Sequence, residues 1–246
     1  MNNTLEQRAE GSIVYRFATP IDPKSGILYV NVIPNYECSN HCTFCSRGDA
    51  IKGLPNIYEK KAGTSLYLSK APTVEGVVNA VEQELQKKKT KEIAFVGLGE
   101  PLLQYPVIRD SIAGIRHKGF KGKIRIDTNG QLKCWSRYAF GCYEKFDVNN
   151  VRGLKEAGLD EAWVSLNARC ERDYERICQP QFEDAWQRVM AFIDNCKKEK
   201  IKVKLSFVVG GDPSIQFDDY VEFAKSLGIK RKNIILRKYV PPINTI

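Results

Sequence analysis

The 246-residue sequence predicts an α/β fold, a partial (β/α)6 TIM-like barrel built as a single domain over residues 1–246. Three observations carry that expectation. Short strand-like runs alternate with helix-like runs, the pattern of βα units around a parallel sheet. The length, with 43% hydrophobic and 27% charged residues, is enough to bury one sizeable core. The residues with chemistry to offer fall where strand-like runs end, which is the end of such barrels where active sites gather.

The first strand, Leu28–Pro34, lies in the apolar run Ile27–Ile33 and leads straight into Cys38, Cys42 and Cys45 at spacing C-x3-C-x2-C. Thiolates are soft ligands that favour iron–sulfur clusters and zinc. A [4Fe–4S] cubane has four irons to ligate, so three close cysteines leave one iron open. Structural zinc takes four ligands in paired spacings, and no second C-x2-C or H-x3-H follows here. A disulfide framework is disfavoured by the length and by the lack of an N-terminal apolar h-region; both point to a reducing, cytoplasmic compartment. No apolar run approaches the roughly 18 residues that cross a bilayer, so no membrane partner is expected. His41, inside the motif, reads as a local hydrogen-bonding residue.

Residues 47–71 read as a long polar loop insertion, a kind of segment that is usually functional or mobile. Val74, Val77, Val78, Val81 and Leu85 then repeat at helical spacing behind Thr73 as cap. The strand Glu92–Gly97 runs into Gly97-Leu98-Gly99-Glu100-Pro101, where glycines permit close backbone approach and Glu100 offers an acceptor for a cation; a simple turn explains the pattern equally well. A helical stretch ends at His117, a surface position. The strand Lys123–Asp127 finishes in Asp127-Thr128-Asn129-Gly130, on pattern alone a turn. In the strand Glu161–Asn167, the two-residue period puts Ser165 and Asn167 on one face, with short side chains suited to a ribose or a carboxylate. Helical core stripes follow at Trp186, Val189, Met190 and Ile193, and at Phe217, Tyr220, Val221 and Ala224, on either side of the strand Lys202–Val209. The last strand, Asn233–Lys238, carries Arg237 near its C-terminal end, and that planar fork suits a carboxylate or phosphate.

These motifs together resemble radical S-adenosylmethionine (SAM) enzymes. The series Y-V-N-V…C-S-N-H-C-T-F-C, G-T-S-L-Y-L, V-G-L-G-E-P, D-T-N-G and S-L-N-A, with Tyr174, Cys178-Gln179-Pro180 and Arg237-Lys238-Tyr239, is similar to the TatD-associated radical SAM proteins over nearly the whole chain. The resemblance implies a barrel of the radical SAM type and a [4Fe–4S] cluster on Cys38, Cys42 and Cys45, with SAM chelating the fourth iron. Phe44 would then sit beside the adenine. Gly97, Gly99 and Glu100 would hold the SAM ammonium group, although Leu98 departs from the all-glycine form. Asp127 and Asn129 would face SAM or substrate, and Ser165 and Asn167 would contact SAM. The implied reaction is one-electron cleavage of SAM to methionine and a 5′-deoxyadenosyl radical that abstracts a substrate hydrogen. Substrate groups are expected around the same mouth, at Arg47, Tyr174 and Arg237.

Of the other cysteines, Cys196 lies on a helical stripe and reads as a buried small hydrophobe. Cys134 and Cys142 follow one strand and Cys170 and Cys178 the next, so a second metal site is conceivable, but seven residues separate each pair and packing roles are favoured. The net charge of +9 is bunched at Lys87-Lys88-Lys89 with Lys91, at Lys197, Lys198, Lys200, Lys202 and Lys204, and at Lys230-Arg231-Lys232. Such runs read first as solvated faces, and second as attractors of RNA, an acidic peptide or an acidic one-electron donor such as flavodoxin or ferredoxin. The substrate is left open between small molecule, peptide and RNA. The alternatives to a radical enzyme of unknown substrate are an RNA-modifying or RNA-binding protein and a non-catalytic metal-binding protein.

Overall fold

The computed structural model describes residues 8–17, 26–54, 56–132, 149–210 and 216–239. Its strands form one sheet in chain order: β1 (Val14–Tyr15), β2 (Ile27–Val30), β3 (Glu92–Phe95), β4 (Lys123–Thr128), β5 (Glu161–Ser165), β6 (Lys202–Val209) and β7 (Ile234–Lys238). The strands β2 to β7 pair in parallel with their neighbours, and β1 lies antiparallel on β2. The sheet is not closed, so the barrel is partial. All the expected parallel strands are present. The addition is β1, whose two residues are too few to show an alternation in sequence.

Helices connect the strands: α1 (Arg47–Ile51), α2 (Ile57–Ala62), α3 (Val74–Lys87), α4 (Tyr105–His117), α5 (Asn149–Ala157), α6 (Glu171–Cys178), α7 (Ala185–Lys198) and α8 (Phe217–Ser226). Alternate strand residues such as Ile93, Phe95, Ile124, Ile126, Val164 and Leu205 are fully buried against helix residues Val77, Ile108, Ile112, Val189 and Ile193, forming one core on the outer face of the sheet. Thr73 caps α3 as expected, its hydroxyl accepting Gly76 N–H at 3.0 Å. Phe217 departs from its expected place. It opens α8 and is exposed, while Tyr220, Val221 and Ala224 turn inward.

The insertion 47–71 is more ordered than its polarity suggested. It holds α1 and α2, the second capped by Asn56 through Tyr58 N–H at 2.8 Å, and then lies along the N-terminal segment. Gly11 N–H bonds Tyr67 O at 2.6 Å and Ser12 N–H bonds Ser65 O at 3.0 Å. Burial of Leu66, Tyr67 and Leu68 holds this stretch down.

The inner face of the sheet is divided in two. At the β1–β2 end Tyr15, Phe17 and Tyr29 stack with ring centroids 4.4–5.8 Å apart. From β3 onward charged residues stand among the inward positions. Arg125 bridges Glu92 and Asp127, while Glu161 gathers Lys202 at 2.8 Å, Lys204 at 3.2 Å and Lys123 at 3.6 Å. The Trp163 ring lies 3.9 Å from the Arg125 guanidinium and 4.3 Å from the Lys204 ammonium, contributed by the flanking strands. Lys204 is therefore not part of a solvated outer run as expected, whereas Lys202, at the start of β6, stays exposed; both alternate with Ser206 between buried Val203, Leu205 and Phe207. The inner face of this partial barrel lines its lumen.

Candidate active site

The chain leaves β2 through Asn31, whose amide bonds Leu66 O at 2.8 Å, and a 3₁₀ turn at Pro34–Tyr36 delivers it to Cys38. Cys45 N–H bonds Cys42 O at 3.0 Å, so the cysteine loop closes in a tight turn. Phe44, in that turn, is partly buried. Burial pushes the Cys38 thiol up to about 12, with the Glu100 charge adding to it. The Cys178 thiol and burial raise Cys42, and burial raises Cys45. One cation opposes all of these shifts: Arg47. Its buried guanidinium also bonds Tyr36 O at 3.1 Å and Asn40 O at 2.8 Å, bracing the loop from below.

The loop has a second brace, from α6. Thr43 N–H bonds Ile177 O at 3.0 Å, His41 N–H bonds Cys178 O at 3.0 Å, and Gln181 N–H bonds Ser39 O at 2.9 Å. Tyr174, fully buried, accepts the Asn40 amide at 3.2 Å and the Gln131 amide at 2.7 Å on its hydroxyl. Cys170 and Cys178 stand at opposite ends of α6, about 12 Å apart at 1.5 Å per residue, so they do not share one metal. Cys134 and Cys142 lie outside the described residues.

After β3 the G-L-G-E turn presses onto the segment leading to Cys38. A Cβ on Gly97 would stand 2.4 Å from Asn31 Oδ1, and one on Gly99, at φ +146°, would stand 2.2 Å from Glu37 O. The close approach that these glycines signalled in the sequence is, on that side, between two protein segments. Glu100 is buried and accepts Leu102 N–H at 2.8 Å, Thr128 O–H at 2.6 Å and Asn129 N–H at 2.6 Å. Burial nonetheless lifts its carboxyl to about 7. Asn129 donates to Ser39 Oγ at 2.8 Å, tying β4 to the cysteine loop. Asn167, in the left-handed region at φ +58°, bonds Ser165 O and accepts Val208 N–H at 3.1 Å, joining the ends of β5 and β6. Asp127 is raised by desolvation against the pull of Arg125. Arg237 points inward, with Nη2 2.9 Å from Ser206 Oγ and 3.3 Å from Ser165 Oγ.

The sequence-predicted residues therefore gather at one end of the lumen, but they divide by surroundings. Arg47, Asn129, Asn167 and Tyr174 are buried among protein partners, whereas Ser165, Asp127 and Arg237 border open lumen. Residues not singled out from sequence, Asn40, Gln131 and Ser39, complete the loop's supports; their partners are too remote in sequence for any local pattern to mark them.

The donor set fits a cluster. Cys42 lies within electrostatic reach of both Cys38 and Cys45, on a loop that already carries one compensating cation. Among the described residues no three His, Cys, Asp or Glu side chains close on a single ion. The thiolates of a cubane each meet a different iron and do not converge on one point.

The Radical SAM superfamily model matches residues 32–227. The chain is 32% identical over 133 residues to a dual-specificity RNA methyltransferase RlmN of Halorhodospira halophila, covering 52% of this chain and 33% of that protein. It is 30% identical over 162 residues to a GTP 3′,8-cyclase of Corynebacterium glutamicum, covering 64% of this chain and 35% of that one. The chain thus spans about a third of the length of these two relatives. In fold it resembles native anSMEcpe with bound AdoMet, at TM-score 0.61 and 15% identity over 88% of this chain and 53% of that chain. No helix among the described residues is long and apolar enough to cross a membrane. With the match running from before the first cysteine through α8, on an open parallel barrel with three thiols at its mouth, the chain belongs to the radical SAM superfamily of enzymes, which use a [4Fe–4S] cluster and SAM.

Proposed function

We propose that this chain abstracts hydrogen from a substrate that carries a carboxylate or phosphate, seated at Arg237 inside the lumen. When bound, the reduced cluster supplies one electron and SAM supplies the hydrogen-abstracting group. Cys38, Cys42 and Cys45 hold the irons, and Arg47 offsets their negative charge. The backbone at Gly97 and Gly99 with Glu100 Oε2, which also accepts Asn129 N–H, receives the SAM ammonium. Phe44 packs on the adenine, and Ser165 and Asp127 face the ribose or the substrate. Asn129 and Asn167 shape the strand ends that SAM meets, and Tyr174 acts through the cysteine loop rather than on substrate. The curled sheet holds the reacting groups together and excludes water.

The observation that carries this reading is the setting of Arg237. Its hydrogen-bond partners are hydroxyls, its side chain is exposed, and Asp127, whose charge it feels, is bridged to Arg125. A guanidinium held by hydroxyls, with no carboxylate hydrogen-bonded to it among the described residues, is suited to a bidentate anion. The two relatives named for RNA and GTP act, by those names, on phosphate-bearing molecules. RNA itself is the second reading, favoured by that first relative and by the basic runs at Lys87–Lys89 and Lys230–Lys232.

The test is an anaerobic screen, in the presence of dithionite or a flavodoxin or ferredoxin as donor, for substrate-stimulated release of 5′-deoxyadenosine. Carboxylates and phosphates should stimulate release, and Arg237→Ala should raise the half-saturating concentration at least tenfold with iron content unchanged. Stimulation by neutral compounds only, or an unaffected variant, would overturn the anionic substrate. Stimulation by RNA with steep salt dependence would favour the second reading. A reducing cytoplasm is the compartment this chemistry needs.

A further inference from the structure

We propose that the end of the barrel opposite the cysteines is a docking surface for the phosphate backbone of a nucleic acid. The proposal concerns a different face from the lumen and does not depend on what is seated at Arg237.

Strands β3 to β7 run parallel in one sheet, so the five connections that lead into them share one end of the barrel. With the last three residues of the helices before them, these connections are 85–91, 115–122, 155–160, 196–201 and 224–233. Together they hold fifteen lysines and arginines against three acidic residues. That excess is larger than the +9 of the whole chain, so the rest of the sequence is net negative. The connections are also stitched into one surface. Lys123 N–H bonds Lys91 O at 3.0 Å and Lys202 N–H bonds Asp160 O at 3.0 Å, while the Lys155 ammonium reaches Lys200 O at 3.4 Å and that of Lys197 reaches Leu227 O at 3.0 Å.

Helix dipoles explain only part of this charge. A cation in the last turn of a helix offsets the negative C-terminal pole. The last-turn residues Lys87, Arg116, Lys197 and Lys225 are each paired already, with Glu84, Asp160, Asp194 and Glu222. Beyond the helix ends, Lys89, Lys91, Lys121, Lys200, Lys230 and Lys232 are exposed, and their side chains make no ion pair or hydrogen bond among the described residues. Such a field of like charges attracts a polyanion.

The kind of polyanion follows from what this end lacks and from where it lies. The exposed large hydrophobics among the described residues are Leu54, Ile57 and Tyr58 in the insertion and Phe217 at the far end of α8. Protein partners and membranes need an apolar anchor, whereas a phosphate backbone needs only spaced charge. An electron carrier must reach the cysteine end, and the eight residues of β6 alone put that end about 23 Å away.

Fluorescence anisotropy of the full chain with short labelled duplexes of RNA and of DNA tests the proposal. At about 4.8 Å between strands the five connections span at most about 19 Å, which faces about eleven duplex charges, roughly half of them on the near side. Contact with about five phosphates gives a slope of log affinity against log salt near −4.5, a fall of roughly 500-fold from 50 to 200 mM salt. Lys89→Glu, Lys121→Glu and Lys232→Glu combined should weaken binding about tenfold or more and flatten the slope. The matched triple Lys52→Glu, Lys60→Glu and Lys61→Glu, exposed on the insertion after the cysteine loop, changes the net charge equally and should leave affinity within about twofold. Equal losses in the two triples would reduce the effect to net charge and overturn the docking surface. No binding at 50 mM salt, or displacement of the duplex by poly-glutamate at equal charge, would overturn it as well. If the first triple does not fold, Gln at the same three positions should lower affinity in the same direction, and an unchanged affinity would count against the proposal. Either duplex bound in this way supports it, and the two arms show which is preferred.

Discussion

The carboxylate of Glu100 accepts the backbone N–H of Asn129 at 2.6 Å, so the turn after β3 is fastened to the turn after β4 by one buried acid. Both turns border the cysteine loop: Glu100 N–H bonds Glu37 O at 2.8 Å and Asn129 bonds Ser39. Burial raises this carboxyl from 4.5 to about 7. A raised carboxyl means that the folded state binds the proton more tightly than the unfolded chain does. Its contribution to stability is therefore full below about 4.5 and is lost as pH rises through about 7. The cluster-free chain should lose up to about 3 kcal/mol from this group across that window. Urea unfolding at a series of pH values measures the slope, and Glu100→Gln should flatten it.

Glu161 behaves in the opposite way. Although burial opposes its charge, Lys202, Trp163, Lys123 and Lys204 hold its carboxyl down to about 2. Its contribution is present above about 4.5 and disappears as pH falls toward 2. Glu161→Ala leaves Lys202, Lys123 and Lys204 without their shared carboxylate, and because two of the three are partly solvated it should cost about 1–2 kcal/mol at neutral pH. A loss below 0.5 kcal/mol in chemical denaturation would show that the lysines find water instead.

Replacing any one of Cys38, Cys42 or Cys45 by Ala should abolish the EPR signal of the reduced cluster. Anaerobically reconstituted wild-type chain should bind about four irons and four sulfides. An intact signal in all three single variants would remove the cluster from this loop.

Arg47→Met should also lower iron loading, although Arg47 is not a ligand. The substitution strips the bonds to Tyr36 O and Asn40 O, at about 1–3 kcal/mol for each carbonyl left buried and unpaired, and removes the cation beside the thiols. Arg47→Lys should recover part of the loading. Equal iron in Met and wild type would show that the loop keeps its shape without this brace.

Much of this arrangement was legible in the sequence, because it rests on short-range pattern. The cysteine spacing, the Thr73 cap and the parallel strands each follow from residues within one element. The alternation Lys202, Lys204, Ser206 against Val203, Leu205, Phe207 is equally visible, but charge in a strand usually faces water, so the sequence suggests a basic surface run. Here the inward face of an open barrel is the polar one. What sequence could not show is who pairs with whom. Asn129, Asn167 and Tyr174 were picked out as short polar or aromatic groups at strand ends, but their bonds to Ser39, Val208 and Asn40 join residues 90, 41 and 134 positions apart. Residue type announces the capacity to bond; only the fold selects the partner.

The bracing of the cysteine loop by α6 sets an order of events in the life of the chain. Cys38, Cys42 and Cys45 emerge early in synthesis, whereas the segment from Tyr174 to Gln181 that shapes their loop is made only after most of the sheet. Until that segment arrives, the loop of the three thiols has only the supports from Arg47, Glu100 and Asn129, and closing so long a loop onto α6 is slow. Iron is thus best delivered after translation has passed residue 181, to a barrel already folded, and a fragment ending before α6 would expose cysteines without a site to hold them.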